Sequence, residues 1–276
     1  MLLDILISVA IGYGCVLGLV FVFQSRLVYY PQIGRAITVT PQAYGLAFEA
    51  AEIATEDGEK LHAWCVPSAG ARGAVLMFHG NAGNISHRLD YLLMFSRLGY
   101  STLIVDYRGY GNSTGSPSEE GTYRDALAAW RHLTERRSVR PVDIVIFGES
   151  LGGAVASWLA ARHAPRALVL ASTFTSVTDL GAQVYWFLPV RFLSSFRYDN
   201  LANLRTIRSP VLIAHSRNDD IIPFAHGQKL FAAAGEPKQF LETRGGHNES
   251  FIFVREEWVR TLAQFLERHT AEGARE

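Results

Sequence analysis

Three polar residues in this chain have the types and the order that nucleophilic catalysis requires. Ser150 lies within Gly148-Glu149-Ser150-Leu151-Gly152, Asp219 follows the apolar run Val211 to His215, and His247 follows two glycines. A serine attacks a carbonyl carbon when a histidine removes its proton and a carboxylate holds the imidazole. These residues therefore predict acyl transfer, with Ser150 as nucleophile, His247 as general base and either Asp219 or the adjacent Asp220 as the acid.

The elements around Ser150 predict a sharp turn. The β-rich run Val142 to Phe147 precedes it, and Ala154 to Arg162 has the composition of a helix. A G-x-S-x-G sequence between a strand and a helix pushes the serine out above the end of a sheet. We expect a side chain at Gly148 or Gly152 to collide with the neighbouring strand or helix. The alternative is a glycine-rich loop that carries an ordinary serine.

Glycines also follow an earlier apolar strand, Ala74 to Phe78, which runs into His79-Gly80-Asn81-Ala82-Gly83-Asn84. Glycines let backbone N–H groups approach a ligand closely. We expect the N–H groups of Asn81 and Leu151 to face the oxyanion that develops during acyl transfer.

These segments resemble the α/β-hydrolase superfamily. The resemblance rests on the run from His79 to Asn84, on Asp106-Tyr107-Arg108-Gly109-Tyr110-Gly111, and on the turn from Gly148 to Gly152. They are similar to a branch of single-anchored membrane serine hydrolases that includes protein depalmitoylases in animals. The likeness extends from about Ala47 to the last helix. It implies the chain order serine, acid, histidine, and its spacing favours Asp219 over the adjacent Asp220.

Four other histidines are alternatives to His247 as the base. His79 and His215 end buried strands, which favours a structural role, and His226 begins a helix and could face solvent; the fourth is His87. Asp106 belongs to a different strand end, where a structural turn is the expected role.

The composition excludes several classes of function. The chain has 276 residues, with 26 Lys and Arg against 26 Asp and Glu. A nucleic-acid surface would require a basic excess, so no nucleic-acid partner is expected. Cys15 and Cys65 are the two cysteines, too few for a metal site. Neither a metal nor an organic cofactor is expected for serine chemistry.

The N-terminal segment predicts a membrane helix. Ile5 to Phe23 is 19 residues without a charge, and as a helix it would span roughly 28 Å, close to the hydrocarbon core of a bilayer. A signal peptide would usually have a basic start and a small-residue cleavage site, which are missing here. A buried core helix is the third alternative. Arg26 and Arg35 follow the helix, so the positive-inside tendency places the catalytic domain on the cytoplasmic side.

The remaining segments predict an α/β fold of alternating strands and helices, in which a mostly parallel sheet has helices on both faces. The expected organisation is a transmembrane anchor (1–24), a linker (25–46) and a catalytic domain (47–270). A short cap insertion (172–210) lies within that domain. Tyr185, Trp186 and Phe187 in the cap are candidates for an apolar wall beside Ser150.

Three functions stay open at this point. The first is a membrane-tethered hydrolase acting on acyl esters or thioesters of small molecules, lipid-like compounds or acylated proteins. The second is a serine peptidase, in which an acidic residue near Ser150 would hold the free amine of the substrate. The third is a non-catalytic scaffold with a hydrolase fold.

Overall fold

The computed structural model describes residues 1–248 and 255–269. Eight strands form one sheet in the order β1-β2-β4-β3-β5-β6-β7-β8. Their bounds are β1 Glu49–Ala54, β2 Lys60–Val66, β3 Ala74–Phe78, β4 Ser101–Val105, β5 Ile144–Glu149, β6 Ala167–Ala171, β7 Val211–Ser216 and β8 Lys238–Thr243. Strands β1 and β2 pair antiparallel, as do β2 and β4, and every later pairing is parallel.

Ten α-helices are described in this part of the chain. They are α1 Leu2–Phe23, α2 Ser25–Val28, α3 Leu89–Arg97, α4 Glu119–Arg131, α5 Leu151–Ala160, α6 Val177–Val184, α7 Val190–Leu193, α8 Asn200–Leu204, α9 Phe224–Ala233 and α10 Glu256–Arg268. The sequence predicts the last helix over Glu249 to Arg268, and residues 249–254 of that range lie outside the described residues. Short 3₁₀ turns occupy Pro41–Tyr44, Ile85–Arg88 and Pro141–Asp143, and a π-helical turn at His132–Arg136 ends α4.

The sheet separates two hydrophobic cores because successive side chains of a strand point to opposite faces. On β3, Leu76 and Phe78 join one core with α4, α5 and α9, whereas Val75 and Met77 join the other with α3 and α10. All four side chains are fully buried. The prediction of a mostly parallel sheet covered on both faces is therefore confirmed.

The N-terminal helix α1 projects from this fold. It has 22 residues and a mean hydropathy of 2.5, and none of its most apolar window is buried. A core helix would be covered by the rest of the chain, so the core-helix alternative is wrong. The length and apolar character are those of a candidate membrane span.

The segment 25–46 was expected to be a linker, but it packs on the domain. Tyr29 is 4% exposed, and its hydroxyl shares a hydrogen bond of 2.8 Å with that of Tyr198. The Asn84 side-chain nitrogen lies 2.7, 3.0 and 3.1 Å from the carbonyl oxygens of Gly34, Arg35 and Ala36, which share its two N–H donors. A flexible linker would make no such set of buried contacts. The segment is therefore better described as part of the folded unit.

Candidate active site

Ser150 occupies the turn between β5 and α5 in a strained backbone conformation. Its φ and ψ angles are 52° and −118°, a region that a non-glycine residue seldom adopts. Its N–H donates to the carbonyl oxygen of Ala171 at 2.9 Å, and the Thr173 hydroxyl donates to its carbonyl oxygen at 2.7 Å. These bonds to β6 and the loop after it hold the turn, so the side chain stands above the carboxyl edge of the sheet.

The two glycines that flank Ser150 let the turn close. A Cβ on Gly148 would lie 2.3 Å from the carbonyl oxygen of Gly152, and a Cβ on Gly152 would lie 2.2 Å from that of Phe78. Both distances are shorter than any real contact of this kind, and backbone atoms cannot rotate away. The steric requirement expected at these positions is therefore present in the fold.

His247 lies between Ser150 and Asp219. Its Nε2 is 3.1 Å from Ser150 Oγ, and its Nδ1 is 2.8 Å from Asp219 Oδ2. A carboxylate only accepts hydrogen bonds, so Nδ1 carries the proton and Nε2 is the acceptor for the serine hydroxyl. Asp219 follows β7 and His247 follows β8. The parallel sheet brings these residues together because the carboxyl ends of its strands share one edge.

Asp219 is buried yet held in its ionised form. Burial alone would raise the pKa of Asp219, but hydrogen bonds from His247 and from the N–H groups of Ile221 and Ile222 lower that pKa below its ordinary value. The two backbone donors lie 3.0 and 2.7 Å from Asp219 Oδ1. The same carboxylate is thus fixed by the chain on one oxygen and by the imidazole on the other.

Asp220, the runner-up for the acid, has a different contact. Its Oδ1 accepts a hydrogen bond of 2.7 Å from the backbone N–H of His247. The side chain therefore holds the loop that carries the imidazole rather than the imidazole itself. From the sequence Asp220 is only an alternative acid, because its contact with the His247 N–H depends on how the loop after β8 approaches the loop after β7.

Asn81 and Leu151 are brought to the same cavity as Ser150 and His247. Leu151 is the first residue of α5, so its N–H belongs to the first turn, where N–H groups have no intrahelical acceptor. The carbonyl oxygen of Asn81 accepts hydrogen bonds from Tyr30 N–H at 3.0 Å and from Tyr110 hydroxyl at 2.9 Å. These contacts fix the loop after β3 beside the serine.

The other candidate histidines make structural contacts. His79 Nδ1 lies 2.7 Å from the carbonyl oxygen of Gly80, and His215 Nε2 lies 2.9 Å from that of Ile222. His226, for which a position facing solvent was one possibility, is 1% exposed; its Nδ1 is 3.1 Å from Thr175 N. His87 caps the turn that follows Asn84, whose N–H donates to His87 Nδ1 at 3.1 Å.

Asp106 has the structural role that its position suggested. Its Oδ1 accepts from Ile85 N–H at 3.0 Å, and His62 Nδ1 lies 3.4 Å from its Oδ2. Burial opposes ionisation, but hydrogen bonds from His62 and His79 lower the pKa of Asp106. The carboxylate joins the loop after β4 to the loop after β3. Among the described residues, no group of three His, Cys, Asp or Glu side chains could hold a metal ion.

A cavity of about 660 Å³ opens above Ser150. Aliphatic and aromatic side chains of the cap form much of its wall, and residues from the end of α1 and from the segment after it form another part. The cap residues are Val177, Leu180, Val184, Tyr185, Leu188, Val190, Leu193 and Phe196; the N-terminal ones are Val20, Gln24, Leu27, Val28, Tyr30 and Ile33.

The three aromatic residues expected beside the serine are not equivalent. Tyr185 lines the cavity, whereas Trp186 and Phe187 do not, and these two are 81% and 53% exposed. Helix α6 ends at Val184 and the chain turns there, which directs the next two side chains outward. The candidate substrate-binding set is corrected accordingly: Tyr185 keeps its place and the aliphatic cap residues replace Trp186 and Phe187.

An ion pair lies at the wall of the cavity beside Ser150. Arg88 Nε is 3.1 Å from Glu149 Oε2, and the two side chains are only 12% and 9% exposed. Glu149 immediately precedes Ser150. Its negative charge is therefore matched within the protein by a guanidinium group.

Comparison with known proteins identifies related chains. The profile of the family described as alpha/beta hydrolase fold matches residues 73–217. The uncharacterised protein MT2364 of Mycobacterium tuberculosis is 38% identical over 270 residues, covering 96% of this chain and 94% of that protein. The alpha/beta hydrolase domain-containing protein 17B of Xenopus laevis is 35% identical over 204 residues, covering 73% and 68%.

The fold is also similar to a solved structure. The esterase Pf2001 of Pyrococcus furiosus superposes with a TM-score of 0.70 at 21% identity, covering 85% of this chain and 95% of that one. At this level of identity the likeness concerns the fold.

Proposed function

The chain belongs to the α/β-hydrolase family and is a hydrolase, and from this premise we propose that it is a membrane-anchored serine hydrolase of acyl esters or thioesters. The observation that carries the proposal is the line of contacts from Ser150 through His247 to Asp219, at 3.1 and 2.8 Å. This line lies at the base of an apolar cavity that could hold an acyl chain.

In the proposed reaction, Ser150 Oγ attacks the acyl carbonyl carbon while His247 Nε2 accepts the hydroxyl proton. His247 then gives that proton to the leaving alcohol or thiol, and an acyl-enzyme remains on Ser150. Water attacks this ester in the second half of the reaction, with His247 again taking and returning a proton. Asp219 keeps Nδ1 protonated and stabilises the imidazolium in both halves.

The negative oxygen of each tetrahedral intermediate requires donors that are already in place. The proposed donors are the backbone N–H groups of Asn81, in the loop after β3, and of Leu151, the first residue of α5, which line the same cavity as Ser150. Removing one donor of this kind typically costs about 2.7–4 kcal/mol of transition-state stabilisation. Because both donors are backbone groups, the fold and not a side chain supplies them.

The cavity supports an acyl substrate. Its wall in the cap is aliphatic along Val177, Leu180, Val184 and Leu188, and its volume of about 660 Å³ lies within the ~300–1,000 Å³ range of small-molecule sites. An acyl chain can be buried against such a wall, because the wall has no polar group that would need a hydrogen bond from the chain. An ester or a thioester that carries an apolar acyl arm is the class that fits.

The helix α1 is the proposed anchor. It is long enough to span a hydrocarbon core, at ~1.5 Å per residue, and Arg26 and Arg35 follow it. The positive-inside tendency supports a catalytic domain on the cytoplasmic side. A C-terminal reporter that resists external protease in intact cells would support this orientation, and its cleavage would contradict it.

The peptidase alternative finds less support at the site. It requires an acidic side chain that is available for the amine of a substrate, but Glu149 is held by Arg88 at 3.1 Å. A scaffold with no catalytic role would have no need for the strained Ser150 conformation or for the aligned side chains. The peptidase and the scaffold each predict a different result when the protein is labelled with a fluorophosphonate and assayed with esters and amides.

Membrane fractions that contain the full chain can be labelled with a fluorophosphonate, which reacts with activated serines. We expect the native protein and the matched control Ser68→Ala to be labelled, and Ser150→Ala to be unlabelled. The labelled protein should then hydrolyse p-nitrophenyl esters and acyl thioesters faster than aminoacyl amides. A folded native chain without labelling would overturn the serine mechanism, and a preference for aminoacyl amides would favour the peptidase.

A further inference from the structure

The cap exposes a cluster of apolar side chains, here called the cap apolar face, made of Val184, Trp186, Phe187 and Phe192. Their exposed fractions are 53%, 81%, 53% and 94%. The rings of Trp186 and Phe187 pack edge to face with centroids 5.9 Å apart. Exposed apolar clusters of this kind mark contact surfaces in soluble proteins. Contact with another apolar surface would therefore remove these side chains from water and be favourable in free energy.

This face lies against the apolar helix α1. The Tyr13 hydroxyl donates to the carbonyl oxygen of Phe187 at 2.9 Å, and the N–H of Ser195 donates to Gln24 Oε1 at 2.8 Å. Tyr13 and Gln24 are 11 residues apart in the sequence, which corresponds to roughly 16 Å along the helix. The cap thus lies alongside the C-terminal half of α1.

We propose that the cap apolar face docks into the leaflet of the bilayer that surrounds this half of α1. The inference rests on the anchor role given to α1 in the proposed function. A surface in contact with the C-terminal half of a spanning helix is placed at the membrane boundary. Tryptophan and phenylalanine are residue types that bind there.

The charges of the cap agree with this location. From Val184 to Ser195 the only charged side chain is Arg191, which pairs with Asp179 at 3.0 Å. A long arginine side chain can keep its charged head in the polar layer while its stem lies in the apolar layer. A soluble partner protein is the alternative occupant. The continuity of the face with α1 favours lipid, because any such partner would have to fit beside the anchor.

Docking of this face would connect the cavity to the acyl layer. Val20 of α1, Gln24 directly after this helix and Val184 of the cap line the same cavity as Ser150. An acyl chain could then pass from the leaflet to the nucleophile between the anchor and the cap, without exposure of its length to water. The anchor would serve as one wall of the substrate path as well as a tether.

Tryptophan fluorescence tests the docking directly. The chain has five tryptophans and none is in α1; Trp64, Trp130 and Trp258 are buried, and Trp158 is stacked on Tyr123 at 4.4 Å. The full chain would be reconstituted in phosphatidylcholine vesicles with brominated acyl chains, which quench only at membrane depth. We expect strong quenching of the native protein and less than half as much for Trp186→Phe.

The opposite result is equally clear. If aqueous iodide quenches the Trp186 emission and brominated lipid does not, the face is in water and the proposal is wrong. Quenching by neither reagent would mean that Trp186 is covered by protein, as in a contact between two copies of the chain, and would also overturn the proposal. Alkali extraction of the same vesicles reports separately on the anchor, so a protein that is extracted would refute the anchor and not only the docking.

A second readout uses Phe192→Ser, which lies outside the cavity lining. We expect about a tenfold loss of activity on p-nitrophenyl palmitate dispersed in the vesicles, equivalent to one phenyl group no longer buried, and no change on soluble p-nitrophenyl acetate. The matched control is Val142→Ser, at another exposed apolar residue (48%), which lies in the 3₁₀ turn before β5, outside the cap. Equal losses on both esters would contradict the docking. The absence of all ester hydrolysis in the native chain would instead refute the proposed function and leave the fluorescence result valid.

Discussion

The backbone N–H of His247 donates to the Asp220 carboxylate at 2.7 Å, while the ring of the same histidine contacts Asp219 at 2.8 Å. Two adjacent acidic residues therefore act on different parts of one histidine. Asp219 orients the imidazole, and Asp220 holds the main chain from which the imidazole projects. Substitutions of Asp219 and of Asp220 are therefore expected to have different effects on activity.

Asp219→Asn should leave the fold intact but lower kcat by about 10⁴-fold, because the amide favours the wrong imidazole tautomer. The measurement is steady-state hydrolysis of a p-nitrophenyl ester by the full chain in detergent. Asp220→Asn is the matched control and should stay close to the native rate, since its amide oxygen can still accept the His247 N–H. Equal losses in the two variants would argue against Asp219 as the orienting acid.

Asp220→Ala removes the acceptor of the His247 N–H and should let the loop shift. We expect kcat to fall by about 10- to 100-fold, the scale associated with small misplacements of a catalytic group. KM should remain near its native value because Asp220 is not part of the cavity lining. Recovery of kcat in Asp220→Asn would distinguish positioning from a general loss of stability. A variant with a normal kcat would show that the contact has no positioning role.

Gly152→Ala should destabilise the fold by about 1–3 kcal/mol, the usual cost of overpacking. The added methyl group would lie 2.2 Å from the carbonyl oxygen of Phe78. Gly235→Ala is the control, since its Cβ would meet the Ile207 carbonyl oxygen only at 3.6 Å. Thermal unfolding in detergent measures both variants. Similar midpoints for the two proteins would mean that the turn can relax around a side chain.

Leu180→Trp should narrow the cavity and change chain-length selectivity, because Leu180 lines the wall in the cap. We expect kcat/KM for p-nitrophenyl palmitate to fall by at least about tenfold, corresponding to the loss of a few buried methylenes. The value for p-nitrophenyl acetate should change little. Phe187→Trp adds bulk in the same cap but outside the lining and serves as control. An unchanged ratio of the two substrates would place the acyl chain elsewhere.

The stability of the fold should depend on Asp219 in acid. Burial opposes ionisation, but the hydrogen bonds from His247 and the loop lower the pKa of Asp219 in the folded state. The folded state then binds fewer protons than the unfolded chain, so the contribution of Asp219 is present above the unfolded pKa of about 3.9. It is lost as the pH falls through the folded pKa.

The comparison of the native protein with Asp219→Asn tests this sign. Below about pH 4, the ordinary range of an aspartate, the midpoint of thermal unfolding should fall more steeply for the native protein than for the variant. Parallel curves would show that Asp219 gains no net stabilisation from its hydrogen bonds.

Local sequence was enough to predict the turn at Ser150. A strand, a G-x-S-x-G sequence and a helix follow one another there, and the steric demand at Gly148 and Gly152 arises from atoms within the same unit or on the adjacent strand. The order of Ser150, Asp219 and His247 also followed from strand ends, because parallel strands deliver their carboxyl ends to one edge. The sequence alone therefore determined the fold class and the candidate catalytic residues.

Contacts between distant segments decided the rest. The Asn81 side chain donates to the carbonyl oxygen of Val28 at 3.0 Å. The segment after α1, which the sequence predicts to be a linker, therefore supports the loop that is expected to bind the oxyanion. Tyr185 and Trp186 are adjacent aromatic residues, yet Trp186 is exposed and Tyr185 lines the cavity. Residue type predicts whether a side chain can be buried. Which side of the chain faces the cavity depends on how the cap packs against α1 and the sheet, and only the tertiary structure sets that packing.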